Sequence, residues 1–340
     1  MTTKQSKVSE AATALPTRKV PIDVMRAVSM LYIVGFWHLL DYTKVASWHH
    51  NPVTYRLTVA ALALFVLISG FLTGRKDGGL ARGEIWRFYE TRFLRIYLPF
   101  VIASGLFLAA GIGDTLALVK GVSLVAMLLA PPPFTLWFVS MILLFYLIAP
   151  LLIGLRGNEV AYIALCAAIV GAMILYQAET EKMDMRLILY FPCFAAGIFL
   201  AGESLPSSTL SLIGLQLLAV LSLIPTLARP SWSLEGDPWA LPWALFGSIA
   251  VFVVVMRAGQ NLKPPAILTQ FSEASFFMYL LHRPLYLWMQ MVWFPSNEEE
   301  QVAYLLFVCL PIIGIVAWLC QRAYAGFLQR REVRVATPNE

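Results

Sequence analysis

Long runs of apolar residues, separated by short polar stretches, dominate the pattern along this chain. Several runs contain no charged residue, for example 57–73, 136–155 and 302–319. Each reaches or approaches the roughly 20 apolar residues that cross a bilayer as a helix. Reading along the chain gives eleven apolar segments, at about 24–43, 56–74, 96–112, 115–130, 135–155, 159–177, 186–201, 208–228, 239–256, 268–294 and 302–324. The pattern predicts an all-α fold, a polytopic integral membrane helix bundle.

Loop charges reduce the eleven segments to about ten predicted transmembrane helices. Basic residues concentrate on the cytoplasmic side of membrane proteins. The stretch before the third segment has six of them: Arg75, Lys76, Arg82, Arg87, Arg92 and Arg95. Four more follow or end the last segment: Arg322, Arg330, Arg331 and Arg334. We therefore expect both termini in the cytoplasm, which requires an even number of crossings.

The segment at 115–130 is the one that we expect not to cross. It is short, contains Lys120 and ends in Pro131, Pro132 and Pro133. We predict a re-entrant or interfacial helix there, on the outer side of the membrane.

The rest of the chain predicts a simple organisation. We expect a disordered cytoplasmic tail at 1–20, a transmembrane domain at 21–325 and a basic cytoplasmic tail at 326–340. Only 13% of the residues are charged, whereas a soluble domain has about 25%. The four cysteines lie in apolar segments without CxxC spacing, so neither a metal site nor a disulfide framework is predicted. We assign the net charge of +5 to topology rather than to nucleic-acid binding.

Titratable residues inside the apolar segments are the candidates for chemistry, because a charge near the bilayer centre costs on the order of 3 kcal/mol. His38 lies about 18 Å beyond Arg26 along the first helix. A neutral imidazole is tolerable at that depth and can accept a proton. Asp41 shares a helix face with His38, so it could hold the imidazole tautomer. The alternatives are a packing histidine and an interfacial aspartate that faces water.

Two other groups interrupt later segments. Arg92 and Arg95 share one helix face and form a positive site that can grip phosphates bidentately. The alternative is a topology signal that contacts lipid phosphates. His282, Arg283 and Pro284 interrupt the tenth segment, where a charged and kinked point indicates a channel wall. The alternative there is a buried arginine that is paired with an acid elsewhere.

Other residues give weaker signals. Ser69 and Gly70 end the second segment, where small residues allow close helix contact. Trp137 begins a later segment, a position typical of interfacial anchors. We expect His49 and His50, in the first outer loop, to be solvated.

Five motifs occur in an order that resembles acyltransferase family 3. This is a family of membrane proteins that decorate polysaccharides, peptidoglycan and some small products with acyl groups. The motifs are an Arg26-to-His38 first segment, SGF after the second, RxxR at the third, LWF…FYL…P in mid-chain and YLLHRPL near the end. The similarity covers about 20–325.

The resemblance implies an acyl-CoA donor, acetyl-CoA by default, that is engaged from the cytoplasm. Arg26, Arg92 and Arg95 fall on the positions proposed to hold the donor, and His38 falls on the essential histidine. The implied location is the bacterial inner membrane, with no bound cofactor.

Two features depart from the family pattern. Many members have ten residues between the arginine and the histidine, but eleven separate Arg26 from His38. On a regular α-helix this turns the two side chains about 120° apart instead of about 20°. A π-bulge in the first segment would restore a common face. Ile142 and Leu143 stand where many members have two Glu, so the acceptor is not carried over from the family.

The expected function is acyl transfer from acyl-CoA to a hydroxyl of a carbohydrate-type acceptor at or across the membrane. His38 would act as a general base or as a covalent acyl relay, and His282, Arg283, Trp137 and Ser69 would line the channel or the acceptor site. The expected partners are acyl-CoA, a glycan acceptor and membrane lipid, without nucleic acid; a homo-oligomer is left open. The alternative is a transporter or flippase of a polysaccharide or lipid-linked sugar, although the inverted repeats typical of transporters are not visible in the sequence.

Overall fold

The computed structural model describes residues 20–43, 47–74, 82–206, 208–234, 236–259, 263 and 265–336. Throughout these ranges the chain forms helices, turns and loops without a β-strand, as predicted. Residues 1–19 of the tail predicted at 1–20, and the loop residues Arg75 and Lys76, lie outside these ranges. Eleven helical segments match the eleven apolar segments: α1 (Val20–Tyr42), α2 (Pro52–Gly74), α3 (Gly83–Ala109), α4 (Thr115–Val122), α5 (Trp137–Leu155), α6 (Glu159–Thr180), α7 (Arg186–Leu200), α8 (Thr209–Leu227), α9 (Pro238–Ala258), α10 (Ala266–Val292) and α11 (Glu298–Arg331).

Eight helices in the described part of the chain are long and apolar enough to cross a membrane, namely α1, α2, α3, α5, α6, α8, α9 and α11. α7 is apolar, but its 15 residues are fewer than a typical span needs. α10 is long enough to cross, with 27 residues, but it is less apolar than the eight helices named above. The segment predicted as a helix at 115–130 is helical only over Thr115–Val122, and turns follow it. Eight helical residues are about 12 Å long, which is too short to cross a bilayer, as expected for this segment. The total of about ten crossings and the cytoplasmic termini stay predictions.

Two helices extend beyond their predicted ends. The segment at Arg82–Arg92 is helical and continues into the third span, so this helix begins well before the predicted start of the third segment at about residue 96. α11 continues to Ala336, so the predicted boundary between 325 and 326 falls inside a helix. Arg331 Nη2 donates to Glu90 Oε1 at 3.1 Å and joins the two extensions. Polar residues with good helix propensity continue an apolar helix into water when another helix supports them.

α2 and α7 pack with their backbones in close contact. A Cβ atom on Gly70 would overlap the carbonyl oxygen of Phe194, and one on Gly197 would overlap that of Leu67. The predicted role of Gly70 in close helix packing is therefore confirmed. This contact anchors the bundle core, because both helices bury large side chains on the facing surfaces.

α10 packs between α1 and α11, so it brings residues near the C-terminus against the first span. α6 and α8 lie at the periphery, and many of their apolar side chains are exposed, such as Val160, Ile163 and Leu210. Exposed apolar helix faces of this kind are expected to contact lipid. The polar residues of the first and tenth segments consequently face each other inside the bundle.

We expect Gly70→Ala to lower the thermal stability of the protein in detergent. The new methyl group would meet backbone atoms of α7, which cannot rotate away, and overpacking of this kind costs roughly 1–3 kcal/mol. The measurement is the unfolding temperature. Gly171→Ala is the matched control, because Gly171 lies inside α6 and a Cβ atom there meets nothing within 4 Å. Equal unfolding temperatures for the two variants would contradict the packing of α2 on α7.

Candidate functional site

A cavity of about 600 Å³ lies among α1, α2, α3, α5, α10 and α11. Most of its wall is apolar, with aromatic side chains such as Phe65 and Phe138. Three arginines line it, and they are Arg26, Arg92 and Arg95. The structure thus brings together the three residues that the sequence predicts as donor-binding. Ser69, predicted as a channel residue, lines the same cavity.

Neighbouring side chains orient two of these arginines. Arg26 Nη2 donates to Ser275 Oγ at 3.0 Å, from α1 to α10. Arg92 Nη2 donates to Thr73 Oγ1 at 3.5 Å, and its guanidinium lies 4.0 Å from the centroid of the Phe88 ring. A planar guanidinium that is both stacked and hydrogen-bonded, as that of Arg92 is, has a fixed orientation. Glu273 also lines the cavity, so the three arginines leave it with a net positive charge, which suits phosphates.

A π-helical stretch at Ile33–Trp37 precedes His38 in α1. The His38 N–H donates to the Ile33 carbonyl, five residues earlier, at 2.9 Å. Such a turn absorbs one extra residue and rotates the following side chains back by about 100°. The π-bulge considered from the spacing is therefore present, and it turns His38 back toward the face of Arg26. A second π-helical stretch, Phe93–Tyr97, contains Arg95.

His38 and His282 form a hydrogen-bonded pair between α1 and α10. His38 Nδ1 lies 2.9 Å from His282 Nε2, and the two ring planes differ by 4°. His282 Nδ1 lies 2.8 Å from the carbonyl oxygen of Tyr279. Because a carbonyl oxygen only accepts, His282 Nδ1 carries a proton, and Nε2 of the neutral ring is then an acceptor. His38 Nδ1 therefore donates to it, which leaves the lone pair of His38 Nε2 available.

His38 lines a second, small cavity of about 20 Å³, and it is half-buried there. Trp137, the other predicted channel residue in this region, lines it as well. Ile33, Leu62 and Tyr279 line both cavities. These three side chains therefore form the partition between the arginine cavity and the histidine pair.

Asp41 does not contact His38, so the prediction that it holds the imidazole tautomer is wrong. Asp41 Oδ2 accepts from Arg283 Nη2 at 2.8 Å. Both side chains instead have partners on α10, where His282 and Arg283 are adjacent, so each of them contacts α10 rather than the other. The tautomer of His38 is held instead by His282 of α10.

Arg283 is buried and forms an ion pair with Asp41. This matches the alternative prediction, a buried arginine paired with an acid, rather than the predicted channel wall. Neither His282 nor Arg283 lines the two cavities. His49 is buried, so its expected solvation is wrong, whereas His50 is exposed. Burial and the neighbouring His49 lower the pKa of His50 below its ordinary value, and Asp41 opposes this shift.

Tyr279 is a site residue that the sequence argument missed. Its backbone carbonyl fixes His282, its hydroxyl donates to the Thr135 carbonyl, and its side chain lines both cavities. The sequence could have indicated Tyr279, because it lies three residues before His282 and therefore on the same helix face.

Trp137 is held by a second residue that the sequence did not indicate. The guanidinium of Arg186 lies 4.0 Å from the centroid of the Trp137 ring. Asp184 fixes this arginine by accepting from Nε at 2.8 Å and from Nη2 at 2.6 Å. The bidentate pair therefore supports the wall of the small cavity next to His38.

Comparison with known proteins gives the family of this chain. The acyltransferase family 3 model, described as Acyltransferase domain, matches residues 20–320, from α1 into α11. No curated protein and no solved structure matches the chain. The family match covers far more than half of the 340 residues. The chain therefore belongs to acyltransferase family 3 and is a membrane acyltransferase.

Proposed function

We propose that this protein transfers an acyl group, in the simplest case acetyl, from cytoplasmic acyl-CoA to a hydroxyl of a carbohydrate-type acceptor. The proposed location is the bacterial inner membrane, with both termini in the cytoplasm. One observation carries the proposal: a cavity with three arginines adjoins the cavity that His38 lines, across the partition of Ile33, Leu62 and Tyr279. A phosphate-binding site next to a base is what a CoA-dependent transfer needs.

The donor would occupy the larger cavity. Arg26, Arg92 and Arg95 would hold the phosphates of CoA, because guanidinium groups bind phosphate oxygens bidentately. The apolar wall suits the pantetheine arm, and a volume of about 600 Å³ lies in the usual range of ligand sites. The thioester would then reach the partition in front of His38.

His38 Nε2 would accept the proton of the acceptor hydroxyl while the hydroxyl oxygen attacks the thioester carbonyl carbon. The carbon–sulfur bond then breaks, and the CoA thiolate leaves and takes up the proton from the imidazolium. His282 supports both steps, because its Nε2 keeps the proton of His38 on Nδ1 and the lone pair on Nε2. A covalent acyl relay would use the same Nε2 as nucleophile, so both routes need this tautomer.

We expect His38→Gln to lower acyl transfer by about 10²–10⁴-fold, the usual contribution of a general base. The measurement is the mass of acylated glycan from cells in which the variant accumulates as the unmodified protein does. Stabilisation of the purified variant by coenzyme A is the control, because the arginine cavity stays intact. Undiminished glycan acylation would refute the role of His38.

His282→Gln tests a positioning role rather than a catalytic one. If His282 acts only through His38, the double variant His38→Gln/His282→Gln should transfer acyl groups as slowly as His38→Gln alone. The single variant His282→Gln should lower kcat with little change in KM for the donor, because His282 does not line the donor cavity. Multiplied losses in the double variant would contradict the shared role.

Donor binding is tested by the rise in unfolding temperature that coenzyme A causes. A ligand at 100 times its Kd stabilises a protein by about 2.7 kcal/mol. We expect Arg92→Ala and Arg95→Ala to lose most of this rise. Arg87→Ala is the matched control, since Arg87 is exposed on the same helix and does not line the cavity. The absence of any coenzyme A effect on the unmodified protein would contradict acyl-CoA as the donor.

A further inference from the structure

Asp41, His49 and His50 lie together at the end of α1 opposite to Arg26. One ligand atom from each lies within 4.8 Å of the others. Asp41 Oδ1 is 3.4 Å from His50 Nε2 and 3.8 Å from His49 Nε2. A tetrahedral zinc ion with bonds of about 2.0–2.2 Å needs its ligand atoms roughly 3.2–3.6 Å apart. The two separations from Asp41 come close to that requirement, and the two histidine ligand atoms lie within 4.8 Å of each other, so side-chain rotations would bring the three into range.

We propose that Asp41, His49 and His50 bind a divalent transition-metal ion of the zinc class. Two imidazoles and one carboxylate suit zinc, cobalt or nickel, whereas magnesium and calcium prefer oxygen ligands alone. Three protein ligands leave a fourth position for water or for an oxygen of another molecule. The site goes beyond the proposed acyl transfer and does not depend on it.

Arg283 orients the carboxylate of this site. Its Nη2 donates to Asp41 Oδ2 at 2.8 Å, so Oδ1 is the oxygen that faces both histidines. Outer contacts of this kind commonly fix the direction of metal ligands. The guanidinium also partly neutralises Asp41, so the two imidazoles must supply much of the affinity.

Aromatic rings hold the two imidazoles. The centroid of the His49 ring lies 5.7 Å from that of Trp37, in an edge contact. The His50 ring lies 5.0 Å from Trp37 and 5.7 Å from Tyr55. Rings packed in this way lose little conformational freedom when an ion binds, which favours binding.

The test uses the full-length protein in detergent, purified without a histidine tag and treated with a chelator. Zinc alone is then added, and its stoichiometry is measured by elemental mass spectrometry after gel filtration. A chromogenic chelator in competition gives the affinity. We expect about one zinc per chain, at least tenfold weaker binding for His50→Gln, and no competition by magnesium. Retention of zinc by His38→Gln is expected, because that variant removes an imidazole from the other histidine pair.

His50→Gln is the main variant because the His50 side chain is 40% exposed, so its replacement should not disturb folding. Zinc should raise the unfolding temperature of the unmodified protein and of His38→Gln, but not that of His50→Gln. Absence of bound zinc in the unmodified protein would overturn the proposal and would leave Asp41 as an ion-pair partner only. Equal zinc binding by His50→Gln would overturn it as well. Neither measurement uses donor or acceptor, so failure here is distinct from failure of the acyl-transfer proposal.

Discussion

The hydrogen bond between His38 and His282 is the interaction on which the proposed chemistry depends. It joins the first span to the tenth helix, across 244 residues of sequence. A neutral imidazole has one donor and one acceptor, so the carbonyl of Tyr279 decides the proton positions along the whole chain of bonds. Burial of His282 and half-burial of His38 favour the uncharged forms, because an imidazolium taken from water loses much solvation energy. In the proposed mechanism, the backbone of α10 thus sets which nitrogen of the base is reactive.

Several features of the fold serve this interaction. The π-helical stretch at Ile33–Trp37 turns His38 toward α10, at the cost of one regular turn. α10 is held between α1 and α11, which fixes the position of His282 along the bundle axis. The close packing of α2 on α7 at Gly70 keeps α2, with Leu62, in place as part of the partition. In the proposed function, the arginines on one side of the partition would bind the donor, and the neutral base His38 on the other side would carry out the chemistry.

Much of the architecture was predictable from the sequence, because hydropathy and small residues act locally. Eleven apolar segments correspond to eleven helices, and Gly70 has the close contact that its size indicates. The grouping of Arg26, Arg92 and Arg95 followed from the family resemblance, and the structure brings the three into one cavity.

The sequence did not predict which side chains from distant segments contact each other. Asp41 was assigned to His38 because regular helix geometry puts i and i+3 on one face, but both residues have partners on α10 instead. The partner of Asp41 is Arg283, 242 residues away. We expected His49, in the first outer loop, to be solvated, yet it is buried among aromatic rings. Tertiary contacts determine the partner of Asp41 and the burial of His49, and a local sequence pattern does not predict those contacts.

The proton positions of His38 can be measured directly by nitrogen NMR of the protein labelled with ¹⁵N-histidine. The chain has four histidines, and the variants His38→Gln and His282→Gln assign the two signals of interest. The account predicts that His38 is neutral, with a protonated Nδ1 and an unprotonated Nε2, and that this pattern is lost in His282→Gln. A proton on Nε2 of His38 in the unmodified protein would contradict the account, because no lone pair would remain for the acceptor hydroxyl.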